Sequence, residues 1–270
     1  MSAKESLDFL VEHLKRTRST DPGPQKPSFW LGAGCSVHDG VPLTVDLLRQ
    51  ILPVSPGAWG SPQFRFDQFC QSLGAGPARA DYLRPYMKRN IRNDSPYHGL
   101  RDLVLAGYAD VIFTFNIDNL LEQSFESAGL HAERDYLVVN VPELQAAAVL
   151  ARIDPSDGPR IRLVKLHGAF EYGINYMTSS EVTRYDEPIL EVVRAWSGHP
   201  AVICGYSFFH LNVLEAFSRT GGPLFYANLG FPDAPMVLSL MAARNKLPLF
   251  IDGSSGMFSN FISSLQGALP

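Results

Sequence analysis

The stretch FWLGAGCSVHDGVPLT, residues 29–44, carries three glycines within nine residues, directly after an apolar run. The run predicts a buried strand, and Pro42 precedes a short helix that we expect over 45–52. Glycine is favoured where the backbone takes a positive φ or approaches a ligand closely. A strand, a glycine-rich turn and a helix start can hold a phosphate, because the helix N-terminus offers free N–H groups and the positive end of its dipole. The stretch therefore predicts a nucleotide-binding turn.

The rest of the chain alternates between apolar, β-rich runs and helical patterns. Strands are predicted at 29–31, 111–115, 161–166, 201–204, 224–227 and 247–251. Helices are predicted at the N-terminus, over 45–52, within 64–92, up to 127 after the second strand, and over 187–196, 208–218 and 258–265. This alternation predicts an α/β fold: a Rossmann-like, doubly wound, mainly parallel sheet with helices on both faces. We expect one domain over residues 1–270, with a helical insertion at about 55–100.

Composition and charge disfavour several classes of protein. The 270 residues are 46% hydrophobic and 19% charged, and the formal net charge is −4. This balance gives no general attraction to nucleic acid or to anionic membranes, and the longest apolar stretch, 146–151, is too short to span a bilayer. Cys35, Cys70 and Cys204 form no C-x-x-C pair, so we expect neither a disulfide framework nor a bound metal. The expected location is the reducing cytoplasm.

The glycine turn by itself matches neither of two common nucleotide-binding patterns. Gly32 and Gly34 fit the start of the dehydrogenase pattern G-x-G-x-x-G, but position 37 is valine. Residues 50–60 also lack the acidic side chain that would bind the ribose. The P-loop pattern G-x-x-x-x-G-K-[ST] is absent from the sequence as well. The turn alone therefore indicates nucleotide binding and nothing finer.

Polar residues follow four other predicted strands, at the position where each strand ends. They are Asn116 and Asp118, His167, Ser207 and Asn228. Ligands of doubly wound sheets bind beyond the carboxyl ends of the strands, where the strand order reverses. We therefore expect these side chains to meet the glycine turn in one site.

Together these motifs resemble the sirtuins, and more closely their sirtuin-like relatives. The family pattern G-A-G-x-S-x-x-x-G-[IV]-P matches Gly32, Ala33, Gly34, Ser36, Gly40, Val41 and Pro42. The pattern T-Q-N-I-D matches residues 114–118, with Phe115 in place of glutamine. The pattern L-H-G matches residues 166–168, and Gly205 and Ser207 correspond to the first and last residues of G-T-S. Asn228 corresponds to the family's late asparagine on the adenosine side. These anchors keep the family's order over residues 29–228.

The chain departs from the protein-deacylating sirtuins in two places. Those enzymes resemble one another in a four-cysteine zinc module, usually between the L-H-G and G-T-S motifs. Here 36 residues separate Gly168 from Gly205, and none before Cys204 is a cysteine. Leu43 and Thr44 stand where the family usually has Phe-Arg. Without a zinc module, the pattern is similar to the zinc-free sirtuin-like NAD hydrolases of bacterial antiphage defence.

The resemblance implies that NAD is the substrate and that no metal takes part. The amides of the turn, with Gly32, Ala33, Gly34 and Ser36, would hold the diphosphate, and Gly205, Ser207 and Asn228 would complete the NAD site. Asp118 would hold the carboxamide, Asn116 would orient the ribose or the attacking water, and His167 would bind a ribose hydroxyl or act as a base. An NAD hydrolase that is always active would deplete its own cell, so we expect a homo-oligomer, an activating partner protein, or both.

Other interpretations of the same residues stay open. Asn116 and Asp118 are favoured helix N-caps, and we expect one to cap and the other to act on the ligand. His167 can be a buried core histidine, while His38 and Asp39 are expected to be solvated loop residues. Phe115 keeps open a non-catalytic sensor of NAD or of an ADP-ribose-like ligand. A protein deacylase is a third candidate, which the missing zinc module disfavours.

Overall fold

The computed structural model describes residues 1–18, 26–51, 62–74, 77–154, 158–172, 188–208, 211–232 and 234–269. Within these ranges the strands are β1 Ser28–Leu31, β2 Val111–Thr114, β3 Tyr136–Asn140, β4 Ile161–Lys165, β5 Ala201–Cys204, β6 Leu224–Ala227 and β7 Leu249–Ile251. They form one sheet in the order β3-β4-β2-β1-β5-β6-β7, and every neighbouring pair is parallel. The predicted doubly wound sheet is confirmed, and in the described part of the chain it is wholly parallel.

Helices connect the strands. In the described ranges they are α1 Ala3–Arg18, α2 Thr44–Ile51, α3 Pro62–Ser72, α4 Pro77–Met87, α5 Pro96–Leu105, α6 Leu120–Ser127, α7 Ala146–Ile153, α8 Pro188–Ser197, α9 Leu211–Ala216, α10 Pro235–Arg244 and α11 Phe258–Ala268. None of the helices in these ranges is long and apolar enough to cross a membrane.

The strands are buried on both sides, and alternate side chains point to two different cores. In β1, Phe29 and Leu31 pack into a core shared with α1, α5, α6 and α11, whereas Trp30 packs into a core shared with α7 to α10. Trp30 stacks on Phe113 of the neighbouring strand with ring centroids 4.0 Å apart. Side chains of a strand alternate between the two faces of its sheet, so helices are needed on both faces to exclude water.

The burial and the capping of the first helix, α1, follow from its local sequence. Leu10, Val11 and Leu14 are buried at helical spacing, as predicted. At its start, the Ser2 hydroxyl accepts from Glu5 N at 3.3 Å, and the Glu5 carboxylate accepts from Ser2 N at 2.7 Å. This reciprocal capping satisfies two amides that a helix end would otherwise leave unpaired.

The connections place a reversal of strand order at the centre of the sheet. From β1 the chain moves to β2, β3 and β4 on one side, and then returns to β5 on the other side of β1. Crossover loops therefore leave in opposite directions at β1 and β5, which opens a crevice at their carboxyl ends. Gly32 follows β1 and Gly205 follows β5, so both predicted glycine motifs lie at this crevice.

Most predicted elements are present, with a few differences at their ends. All six predicted strands are observed, and β3, α5, α7 and α10 were not predicted. The helix predicted over 208–218 is observed as Leu211–Ala216; Phe208 precedes it with a φ of 53°, and residues 209 and 210 lie outside the described ranges. Residue 187, where the preceding helix was predicted to start, also lies outside them.

The region of the predicted insertion contains two kinds of packing. Residues of α2, α3 and α4 form a small third core with Phe170. By contrast, α5 packs on α6 and α11 as part of the main core around β1. Residues 55–61 lie outside the described ranges, and the insertion at about 55–100 within one domain stays a prediction.

Candidate functional site

A cavity of about 690 Å³ opens at the carboxyl ends of the central strands. Eight of the ten predicted site residues line it: Ala33, Gly34, Asn116, Asp118, His167, Gly205, Ser207 and Asn228. Gly32 and Ser36 lie beneath this lining, where Ser36 is buried. The expectation that residues from separate strand ends converge at one place is therefore met by the geometry.

The glycines of the turn let two backbones pack directly against each other. A Cβ atom on Gly32 would lie 2.6 Å from Cα of Tyr206, and one on Gly34 would lie 2.9 Å from Cα of Gly205. Gly205 itself has a φ of +57°, a backbone conformation that residues other than glycine rarely adopt. These glycines therefore hold the loops after β1 and β5 together.

The amides of this turn correct one expectation. Gly32 N–H donates to Cys204 O and Gly34 N–H donates to Gly205 O, both at 2.9 Å. Within the turn, Cys35 N–H donates to Gly32 O at 2.9 Å and Ser36 N–H donates to Ala33 O at 3.2 Å. The turn closes on itself as a short 3-10 helix, so a diphosphate cradle made of all its amides is wrong. Among the described residues, Ala33 is the member of the turn whose amide has no such bond.

Asn116 lies at the centre of a buried polar network. Its Nδ2 is 3.0 Å from Gly32 O, 3.1 Å from Ser36 Oγ and 3.3 Å from the Tyr97 hydroxyl. The Tyr97 hydroxyl is 2.9 Å from Ser36 Oγ, and Ser36 Oγ donates to Asp118 Oδ2 at 2.8 Å. Four side chains, from the turn after β1, from α5 and from the loop after β2, are thus joined at the cavity.

Of Asn116 and Asp118, it is Asp118 that bonds to the start of α6, whose cap position is Asn119 with no side-chain capping bond. Asp118 Oδ1 accepts from the amide of Leu120, the first residue of α6, at 3.2 Å, while Asn116 makes no contact of this kind. Burial raises the pKa of the Asp118 carboxyl above its ordinary value, and the Lys165 ammonium opposes that rise. The carboxyl therefore both stabilises the helix start and belongs to the cavity wall.

Lys165 is a supporting residue that the sequence reasoning missed. Only 1% of this side chain is exposed, at the end of β4. Its Nζ donates to the main-chain oxygen of Asp118 at 2.5 Å and to Glu122 Oε1 at 2.6 Å. One sequence feature could have identified this residue: it is a lysine at the end of an apolar strand, directly before Leu166 and His167. The buried ion pair fixes the loop that carries Asn116 and Asp118.

His167 lies against an aromatic wall. The rings of Phe115 and Tyr206 stack with centroids 4.0 Å apart, and His167 meets Phe115 edge-on at 5.3 Å. His167 is buried and also lines the cavity, so a core position and a functional position are both compatible with its surroundings. Phe115, which stands where the sirtuin pattern has glutamine, provides apolar packing for both rings.

Ser207 and Asn228 are the remaining predicted residues that line the cavity. Ser207 is exposed. Asn228 Nδ2 donates to the Tyr226 hydroxyl at 3.0 Å, and its Oδ1 accepts from Leu229 N at 2.9 Å. Phe258 and Ser259, at the start of α11, also line the cavity and were not predicted.

Asp39 differs from its predicted character. It is 4% exposed, and its carboxylate accepts from Arg92 N at 2.9 Å and from Ser95 Oγ at 2.7 Å. The expectation of a solvated loop residue is therefore wrong, because Asp39 ties the turn to the start of α5. His38 lines the cavity, with Nε2 3.4 Å from Asp94 Oδ2.

Charge and metal-binding chemistry at the cavity are limited. The described residues that line it include no lysine or arginine. Across the described ranges, no group of three or more His, Cys, Asp or Glu side chains is arranged to hold a metal ion.

Comparison with protein families gives one match: a model of the SIR2-like domain matches residues 110–220. This part of the chain is SIR2-like. It contains the loops that carry Asn116, Asp118, His167, Gly205 and Ser207. None of the curated proteins compared with the sequence is significantly similar to it.

Solved structures similar to this chain include three sirtuins. A structure described under the mechanism and regulation of Sir2 enzymes is 14% identical, with 97% of this chain and 96% of that one covered and a TM-score of 0.47. Sir2Tm bound to a propionylated peptide is 14% identical, with coverages of 99% and 98% and a TM-score of 0.48. A structure on sirtuin substrate affinity is 14% identical, with the same coverages and a TM-score of 0.44.

Proposed function

We propose that this protein is an NAD⁺ hydrolase that cleaves the nicotinamide–ribose bond and releases nicotinamide and ADP-ribose. The observation that carries the proposal is that Asn116 and His167 line one cavity at the crevice between β1 and β5. Both residues lie within the SIR2-like part of the chain. A cavity of about 690 Å³ is in the range expected for a ligand of this size.

The proposed reaction needs few catalytic groups from the protein. The bond between ribose C1′ and the nicotinamide nitrogen breaks, and its electron pair neutralises the positive ring. Water then bonds to C1′ and releases one proton. Glycosidases need a carboxylic acid to protonate their leaving oxygen, but a cationic leaving group needs none. The site must bind NAD, stabilise the developing sugar cation and orient water.

The residues have chemistry suited to these tasks. In this proposal Asn116 orients water or a ribose hydroxyl, and His167 binds a ribose hydroxyl or accepts the proton that water releases. Asp118 holds the carboxamide. Ala33, Gly205, Ser207 and Asn228 line the part of the cavity that would receive the diphosphate and the adenosine.

Two other functions make different demands on the same cavity. A non-catalytic sensor of NAD or of an ADP-ribose-like ligand is supported by Phe115, which packs flat on Tyr206 where the sirtuin pattern carries a polar side chain. A protein deacylase would need a cleft for an acyl-lysine peptide, and the sequence lacks the four-cysteine module that helps to form it.

We also propose that the enzyme is a gated effector of antiphage defence in the cytoplasm. The support is the resemblance to zinc-free sirtuin-like NAD hydrolases, together with the harm that unrestrained NAD cleavage would cause. Self-assembly or a partner protein would then switch the enzyme on, since one predicted domain occupies the chain and closed symmetric oligomers are common.

Product analysis tests the proposal directly. Purified protein is incubated with NAD over a series of protein concentrations, with and without EDTA and an acyl-lysine peptide, and nicotinamide and ADP-ribose are quantified. We expect the two products in equal amounts without peptide and irrespective of EDTA. Thermal stabilisation by NAD with no nicotinamide released under any condition would favour the sensor, and peptide-dependent release would favour the deacylase.

A further inference from the structure

We infer that the Tyr97 hydroxyl is a positioning group that holds the side chain of Asn116 with Oδ1 turned into the cavity. The inference rests on the proposed function for its consequence, and on hydrogen-bond geometry for its basis. No sirtuin-like motif in the sequence contains Tyr97, which is the second residue of α5.

The first step is the orientation of the Asn116 amide. Gly32 O lies 3.0 Å from the amide nitrogen, and a carbonyl oxygen can only accept a hydrogen bond. Turning the amide over would place Oδ1 against this oxygen and would lose the bond. Nδ2 must therefore face the buried side, and Oδ1 faces the opposite side, where Asn116 lines the cavity. Among the described residues, none donates a hydrogen bond to this Oδ1.

The second step is the direction of the hydrogen bonds. Ser36 Oγ donates its one hydrogen to Asp118 Oδ2, which lies 2.8 Å away. Ser36 Oγ can then only accept from the Tyr97 hydroxyl, which lies at 2.9 Å. The Tyr97 oxygen accepts in turn from Asn116 Nδ2 at 3.3 Å. Asn116 Nδ2 also donates directly to Ser36 Oγ at 3.1 Å, so Ser36 and Tyr97 share one amide hydrogen and the other goes to Gly32 O. The donors therefore run from Asn116, directly and through Tyr97, to Ser36 and on to Asp118.

The third step is the rigidity of Tyr97 itself. Its side chain is 1% exposed, and its ring packs edge-on against Phe258 at 5.4 Å. The Ser95 hydroxyl accepts from the Tyr97 amide at 3.2 Å and donates to Asp39 at 2.7 Å. Ring and backbone are both fixed, so the hydroxyl has one position from which to hold Asn116.

The consequence concerns the group that Asn116 meets. An Oδ1 with a fixed direction into the cavity is a hydrogen-bond acceptor, so its partner must be a hydrogen-bond donor, either O–H or N–H. The attacking water and a ribose hydroxyl both meet this requirement. Removing the Tyr97 hydroxyl would take away one of the three acceptors around Nδ2 and the donor that orients Ser36 Oγ, which leaves Gly32 O and a less constrained Ser36 Oγ to hold the amide. The looser amide would disturb the reacting geometry more than the binding of the rest of the ligand.

Replacement of a single oxygen tests this account. In Tyr97→Phe, kcat for NAD cleavage should fall by about tenfold or more, while KM changes by less than about threefold. The matched control is Tyr108→Phe, since Tyr108 is equally buried in the same core and its hydroxyl accepts from Arg18 at 2.9 Å. The control should keep its kcat. A kcat for Tyr97→Phe within about twofold of wild type would overturn the inference.

A second readout needs no turnover. Hydrogen exchange of the Asn116 side-chain amide is followed by NMR, with the resonance assigned by its loss in Asn116→Ala. Exchange should be slow in wild type and in Tyr108→Phe, and about tenfold faster in Tyr97→Phe. Equal rates in all three proteins would overturn the inference even if NAD is cleaved. Exchange that depends on Tyr97 in a protein that cleaves no NAD would instead leave the positioning intact and reject the hydrolase.

Discussion

The turns after β1 and β2 face the same cavity but are built in opposite ways. The β1 turn is held by main-chain bonds and by glycines that touch the β5 loop, so its polar groups are largely used within the fold. The β2 turn is held by side chains, with Asn116 and Asp118 tied to Tyr97, Ser36 and Lys165. A turn held through its backbone can support a ligand, whereas a turn held through side chains can direct chemistry. In the proposed function, the chemical task therefore falls to the β2 turn.

The largest effect should come from breaking the support of the β2 turn. Lys165→Met leaves Glu122 buried without its cation, which should lower the free energy of unfolding by about 3–5 kcal/mol. Denaturant unfolding measures the change. Lys15→Met is the matched control, because Lys15 forms an exposed pair with Glu12 at 3.5 Å and should change stability by less than about 1 kcal/mol.

A double substitution tests whether the lost stability comes from the unpaired charge of Glu122. Adding Glu122→Leu to Lys165→Met removes the unpaired charge and should recover a substantial part of the lost stability. Equal losses in the single and the double variant would mean that the ion pair is not what holds this turn.

A smaller effect is expected at the β1 turn. Gly32→Ala places a Cβ atom 2.6 Å from Cα of Tyr206, so the β1 and β5 loops must separate. The free energy of unfolding should fall by about 1–3 kcal/mol, and any stabilisation by NAD should weaken with it. Gly267→Ala is the control, because no atom outside the adjacent backbone of its own helix lies within 4 Å of the added Cβ. That change should be neutral or stabilising by up to about 1 kcal/mol. Similar behaviour of the two variants would contradict the close packing of the turn.

The smallest expected effect is a pH dependence of the free energy of unfolding, which arises from the titration of Asp118. Its ordinary pKa is 3.8, and burial raises the pKa in the folded protein. The native state therefore holds the proton more tightly, so the stability that this group contributes is greatest at pH below 3.8 and falls as pH rises towards the folded pKa.

Asp118→Asn removes this titration. Unfolding curves recorded from about pH 3.5 to about pH 6.5 should show the wild type losing stability relative to the variant as pH rises. Parallel curves for the two proteins would contradict the raised pKa.

Much of the fold could be predicted because buried parallel strands are continuous apolar runs. Strands such as Ala201–Cys204 and Leu224–Ala227 were predicted to the residue. The edge strand β3 was missed, since its apolar core in the sequence is only Leu137–Val139 between polar residues. The position of the site could be predicted because each motif directly follows a strand.

The side chains that hold the site residues in place could not be predicted in the same way. Tyr97 lies 61 residues from Ser36 in the sequence, and Lys165 lies 47 residues from Asp118. Nothing in the local pattern marks such partners, because the sheet order alone brings them together. The use of the turn amides was misjudged for a related reason, since their acceptors include Cys204 at the end of β5 and Gly205 directly after it, both far from the turn in the sequence.

The most direct measurement of the central claim compares turnover and binding in Asn116→Ala and His167→Ala. If both side chains act on the reacting ribose, each loss should lower kcat for NAD cleavage by about a hundredfold or more. NAD should still raise the melting temperature of both variants, because its diphosphate and adenosine would be bound elsewhere in the cavity. Wild-type turnover in both variants would contradict the assignment of the chemistry to Asn116 and His167.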